Sequence, residues 1–222
     1  MDLDQLNQTI INCTKCERLA TYIKDVGKRK VKRFSNWEYW SKPVPSFGDP
    51  QAKIVIVGLA PAAHGGNRTG RMFTGDHSGE WLFRALHEVG LANKPTSLSR
   101  EDGLESKVYI TAVLHCAPPN NKPTPEEVRN CSSYLRQELA YLKNAKVIVT
   151  LGKLAFDEVC RIFEVRGKFS HRIKLKSSDG KIIIASYHPS ARNTNTGKMS
   201  WEQWVTVFKE ALYLSENQGT IP

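Results

Sequence analysis

Four short runs rich in Ile and Val, at Lys53–Val57, Val108–Val113, Lys146–Leu151 and Lys181–Ser186, set what this 222-residue chain can fold into. Such runs fit strands of a sheet covered on both faces. Helical signals lie between them. Trp81, Leu82, Ala85, Leu86 and Val89 share one face of a 3.6-residue period. Thr124-Pro125-Glu126-Glu127 combines a cap, a first-position proline and a box glutamate. Gly152 to Phe163 and Ser200 to Leu214 read as two further helices, the last with a Ser200/Gln203 box. Alternating strands and helices predict an α/β fold: a three-layer α/β/α sandwich around a mainly parallel, four-stranded sheet. Sites in such sheets gather beyond the strands' C-terminal ends. The loops after Val57, Val113 and Ser186 are therefore expected to meet.

The length suits one well-buried core, and residues 1–222 are read as one domain. Residues 1–50 form its N-terminal part, a cysteine-bearing helix followed by a basic and aromatic insertion. No apolar stretch is long enough to span a bilayer, and no secretory signal opens the chain. A cytoplasmic, nucleoid-associated protein is the expectation. The net charge of +10 favours an anionic partner, although a basic surface also serves solubility. Lys24, Lys28, Arg29, Lys30, Lys32 and Arg33 crowd together, with Trp37, Tyr39 and Trp40 close behind. That mixture suits a nucleic-acid contact, or a flap pinned to the core by its tryptophans.

Without an export signal the five cysteines are a poor disulfide set. Cys13 and Cys16 have the C-x2-C spacing of a metal knuckle. Cys116 and Cys131 would complete a four-thiolate site for zinc or an iron–sulfur cluster. Cys160, on the Leu154–Phe163 helix, is the bystander.

The loop after the first strand, GLAPAAHGGNRTGRMFTGD, is polar and glycine-rich. It matches neither the GxxxxGK[ST] nor the GxGxxG pattern. Phe73 within it is either a core plug or a stacking surface for a planar ligand. Asp76 is its one carboxylate. His188 follows the last strand; a core or capping role competes with a ligand contact. The polar tip from Arg192 to Lys198 suits phosphate contacts. Met199 beside it reads as a wedge between base pairs or as the start of helix packing.

These segments resemble the uracil-DNA glycosylase superfamily, nearest its iron–sulfur-containing family 5 branch. The resemblance spans nearly the whole chain. It rests on residues 58–76, on CAPPNNKPTPEE at 116–127, on HPSARNTNTG at 188–197, and on WEYWSKPVPSFGDP at 37–50. It implies a monofunctional glycosylase that hydrolyses the N-glycosidic bond of uracil, and of hypoxanthine or other deaminated bases, in DNA. The cofactor it implies is a [4Fe–4S] cluster on Cys13, Cys16, Cys116 and Cys131, with zinc as the alternative.

Carried onto this chain, Asp76, His188 and Asn121 are the catalytic residues. Asp76 handles water, Asn121 orients water or base, and His188 stabilises the departing anion. Asn67 and Asn120 are substitutes for the water-positioning role. Relatives that keep an acidic or amide residue directly after the first strand contrast with Leu59 and Ala60 here, an absence that marks family 5. Base contacts are expected at Phe73, Ala60, Gly58, His64 and Asn67. DNA contacts are expected at Ser190, Arg192, Asn193, Lys198, Met199 and Lys122. No lysine nucleophile stands in the motifs, so strand cleavage through an imine is not expected. The implied partner is duplex DNA, with single strands as a second form, bound by a monomer from an archaeon or bacterium. A non-catalytic iron–sulfur or zinc DNA-binding protein, sensing damage without releasing base, is the competing reading.

Overall fold

The computed structural model describes residues 2–217. The N-terminal region holds two helices, α1 (Leu3–Ile11) and α2 (Glu17–Arg29), with the C-x2-C in the link between them. The basic run is therefore partly helical, its first half lying on α2.

The sheet follows, with β1 (Phe47–Gly48), β2 (Ile54–Gly58), β3 (Tyr109–Ala112), β4 (Val147–Leu151), β5 (Lys174–Lys176) and β6 (Ile182–Ser186). Around it lie α3 (Gly66–Thr69), α4 (His77–Glu88), α5 (Pro125–Tyr141), α6 (Lys153–Ile162), α7 (Ala191–Asn195) and α8 (Trp201–Glu216). Both anticipated capping boxes form, at Thr124/Glu127 and Ser200/Gln203, each satisfying two backbone N–H groups at a helix start.

The sheet has six strands in the order β1-β3-β2-β4-β6-β5, which corrects the expected four. The four anticipated runs form its parallel centre. The two additions pair antiparallel at the edges, Phe47 opposite Ile110 and Leu175 opposite Ile183. Each is three residues or shorter and only partly buried. Too short to show a period, they are made by their neighbours' unpaired backbone. Lysines at Lys174 and Lys176 suit an edge that must not recruit another chain.

Because strand side chains alternate faces, each central strand feeds two cores. Ile54, Ile56, Val147, Val149, Ile182 and Ile184 pack with Leu82, Phe83, Trp204 and Phe208 of α4 and α8. Val55, Val57, Ile148 and Ile183 pack with Leu135, Leu139, Phe156 and Val159 of α5 and α6. The chain leaves β2 toward β3 and then returns to β2's other side through β4. This reversal opens a crevice at the strands' C-terminal ends.

Candidate active site

The residues after β2 fold back beneath the crevice. Phe73 takes a left-handed backbone (φ 50°), and Asp76 then caps α4, its Oδ1 accepting from Gly79 N–H at 2.8 Å. Two glycines make room for these side chains. A Cβ at Gly58 would stand 2.7 Å from the Phe73 ring, and one at Gly65 2.0 Å from Asp76 Oδ2. After β3, a turn of 3-10 helix (Pro119–Asn121) sets Asn120 and Asn121 at φ near +55°, a conformation asparagine tolerates. After β6 comes His188, and Ser190 caps the short α7.

These three loops enclose a cavity of about 400 Å³. Asp76, Asn121, Phe73, Ala60, His188 and Ser190 all border it. Separate stretches of sequence thus converge on one volume of ligand-binding size. The Phe73 and His188 rings face each other 6.2 Å apart, 30° from parallel. No lysine borders this cavity among the described residues.

Burial sets the chemistry of both titratable groups. It pushes Asp76 above the usual carboxylate range, the Gly79 and Ser78 backbone N–H groups opposing only part of the shift. It holds the His188 imidazolium down to a pKa of about 4. At neutral pH His188 is a neutral ring, able to donate a hydrogen bond but carrying no charge.

A second cavity of about 320 Å³ adjoins the first, sharing Ala62, Asp76 and Asn121 and bordered also by His64, Asn120 and Arg33. His64 faces this chamber, its Nδ1 2.9 Å from the Tyr39 hydroxyl. Asn67 lies away from both cavities. It is fully buried, and its Nδ2 donates to the Ile23 and Ala63 carbonyls, joining α2 to the loop. Gly58 supports Phe73 from beneath.

Among the expected DNA contacts, Arg192, Lys198 and Lys122 are exposed. Lys198 Nζ lies 4.6 Å from the Tyr187 ring centre. Asn193 Nδ2 donates to the His188 carbonyl at 2.9 Å, bracing the loop from within. Met199 is buried in the core, where it packs with α8.

His77 and Ser78 border the cavity without having been anticipated. His77 Nε2 lies 2.9 Å from Thr194 Oγ1, and Ser78 Oγ donates to the Pro189 carbonyl at 3.2 Å. They tie the Asp76 loop to the His188 loop. Reading Asp76 as a helix cap would have placed both in the first turn facing the site.

The metal expectation needs correction. Cys13, Cys16, Cys116 and Cys131 border one cleft, but it holds only about 20 Å³. Among the described residues no group of three or more His, Cys, Asp or Glu side chains is arranged to hold a metal ion. The cysteines stand as free thiols. Burial pushes Cys131 up to about 12 and also raises Cys116 and Cys16. Two sulfurs accept hydrogen bonds, Cys16 from Asn130 and Cys131 from the His115 backbone. Spacing along the chain suggested a ligand set. The folded arrangement supports neither the [4Fe–4S] cluster nor zinc.

Residues 45–212 match the Uracil DNA glycosylase superfamily. The chain belongs to that superfamily. It is 47% identical over 210 residues to the type-5 uracil-DNA glycosylase of Pyrobaculum aerophilum, covering 94% of this chain and 91% of that protein. It is 44% identical over 218 residues to the type-5 enzyme of Thermus thermophilus, covering 97% and 99%. The type-4 uracil-DNA glycosylase of Archaeoglobus fulgidus is more distant, at 36% over 196 residues, covering 85% and 82%. Within the superfamily the chain therefore sits with the type-5 glycosylases. Among the described residues no helix is long and apolar enough to cross a membrane.

Proposed function

We propose that this chain is a uracil-DNA glycosylase that initiates base excision repair, with Asp76, His188, Asn121 and Phe73 as its working residues. The convergence of Asp76 and His188 on one cavity, from loops more than a hundred residues apart, carries the reading. Family membership supports uracil in DNA as the substrate.

The reaction requires the base outside the helix stack, at a cost least for a mispaired base. Uracil opposite guanine is therefore favoured. Phe73 stacks on the extruded base. Cleavage leaves positive charge on the sugar and negative charge on the base. His188, held neutral by its surroundings, donates a hydrogen bond to the base oxygen without surrendering a proton. Asp76, as a carboxylate, stabilises the sugar cation and accepts a proton from the attacking water. Its raised pKa makes it a stronger base than an ordinary aspartate. Asn121, which borders the same cavity, orients that water. Small side chains at Ala60 and Ala62 leave room for purines, so hypoxanthine is a second substrate.

The exposed cations Lys24, Lys28, Arg29, Lys32 and Arg33 supply sequence-independent attraction to the phosphates. Arg192, Lys198 and Lys122 lie closer to the target nucleotide. We read the chain as one domain acting as a monomer in the cytoplasm, on duplex DNA and, where bases are already unpaired, on single strands.

Asp76→Asn and His188→Ala each test the assignment in single-turnover release of uracil from a duplex with one uracil opposite guanine. Both should slow release while leaving affinity for the duplex nearly unchanged. Wild-type rates in both variants would remove the assignment. Binding with no free base released by the unaltered protein would favour a damage sensor instead.

A further inference from the structure

We infer that Arg68 is a positioning residue for Asp76, and that residues 34–41 act on the site through it. The inference rests on Asp76 being the water-handling carboxylate.

Arg68 lies in α3 and is 3% exposed. Its Nε donates to the His64 carbonyl at 2.7 Å, and its Nη2 donates to the Gly75 carbonyl at 2.9 Å. Those carbonyls mark the two ends of the loop that matter. His64 precedes Gly65, whose missing side chain makes room for the Asp76 carboxylate. Gly75 directly precedes Asp76. One planar guanidinium therefore fixes the separation of the carboxylate from the wall it rests on. At Gly75 the backbone is left-handed (φ 74°), and a Cβ would lie 2.2 Å from Arg68 Nη2. The residue before Asp76 is thus moulded around the arginine.

The guanidinium is covered by two aromatic rings from the basic insertion. Its central carbon lies 3.8 Å from the Phe34 ring centre and 4.1 Å from the Trp37 ring centre. The same insertion grips the loop along its backbone. Trp40 N–H donates to the Arg68 carbonyl at 3.0 Å and Ser41 N–H to the Asn67 carbonyl at 3.1 Å. Tyr39 reaches His64. A guanidinium buried among carbonyls and rings gives up hydration, here with no carboxylate salt bridge in return among the described residues. Among the described residues its Nη1 has no hydrogen-bond partner. Such a residue is a costly way to stabilise a fold. What it does supply is a rigid fork with two donors at fixed spacing. The insertion thereby joins the basic surface that meets DNA to the carboxylate that handles water.

Arg68→Lys tests this, because lysine keeps the charge but lacks the fork. Single-turnover uracil release is measured beside affinity for a duplex carrying a tetrahydrofuran abasic analogue, which has no base to lose. The expected result is a rate loss of about tenfold to a hundredfold, as for a catalytic group displaced by an ångström, with affinity nearly unchanged. In an Asp76→Asn background the same substitution should cost little more, since the two residues act as a unit.

A wild-type rate in Arg68→Lys, or an equal fractional loss in both backgrounds, would overturn the inference. An unaltered rate in Asp76→Asn alone would instead remove the premise. Should Arg68→Lys fail to fold, Trp37→Ala serves, since Trp37 is 37% exposed and its truncation keeps the arginine. It should give the same selective loss of rate, smaller in size. A rate equal to wild type would count against the role of the insertion.

Discussion

Gly65→Ala puts the geometry of Asp76 to a direct test. The glycine has φ −102° and ψ −102°. The nearest obstacle to a side chain there is the Asp76 carboxylate. The new Cβ would lie 2.0 Å from Asp76 Oδ2, 2.8 Å from its Cγ and 3.0 Å from its Cβ, whereas ordinary contacts begin at 3.4 Å. The oxygen must retreat by about 1.4 Å, the difference between those limits. Retreat also strains the Oδ1 bond to Gly79 N–H. Misplacing a catalytic group by about 1 Å costs on the order of a hundredfold in rate. Weakening a helix cap costs about 0.5–2 kcal/mol. For a chain of this size that lowers the melting temperature by roughly 1–8 °C. Single-turnover uracil release at a temperature well below melting separates the two effects. A folded Gly65→Ala protein that releases uracil at the wild-type rate would refute the role given to Asp76's position.

Three further outcomes are expected. His188 has a folded pKa of about 4 against 6.5 in the unfolded chain, so between those values the unfolded state binds more protons. Its contribution to stability therefore rises from pH 4 to 6.5 and is lost as pH falls through that window, by at most ~3 kcal/mol. Urea unfolding at pH 7 and pH 4.5 should show a smaller drop in His188→Gln than in the wild type. Phe73→Ala should weaken capture of the extruded base by about 1–3 kcal/mol, the worth of one stacked base. This would appear in competition between duplexes with and without uracil, and equal competition before and after the change would contradict it. Replacing Lys24, Lys28, Arg29, Lys32 and Arg33 by glutamine should flatten the dependence of affinity on salt, each lost phosphate contact reducing the logarithmic slope by about 0.9. An unchanged slope would place that surface away from DNA.

Local signals were legible where a few neighbouring residues suffice. The four central strands, the Thr124 and Ser200 caps and the α4 face all depend on spacing within one segment. The edge strands β1 and β5 were not legible. A two-residue Phe-Gly and a three-residue Lys-Leu-Lys become strands only because β3 and β6 offer them unpaired backbone. Cysteine spacing misled for a related reason, since ligation depends on where thiols meet in three dimensions. Met199 turned on packing: its neighbours in sequence are polar, yet α8 draws it into the core.

The sequence by itself determined the layered α/β plan and, through motifs that resemble the family and are each contiguous, proposed Phe73, Asp76, Asn121 and His188 as site residues. Only the tertiary structure decided how those motifs share a cavity. It also decided that His77 and Ser78 tie two of the loops together, that Asn67 is buried away from the cavities, and that Arg68 clasps the His64 and Gly75 carbonyls. Those relations join residues distant in the chain or turned by a left-handed backbone. Periodicity and spacing carry no record of which side chain such a turn will face.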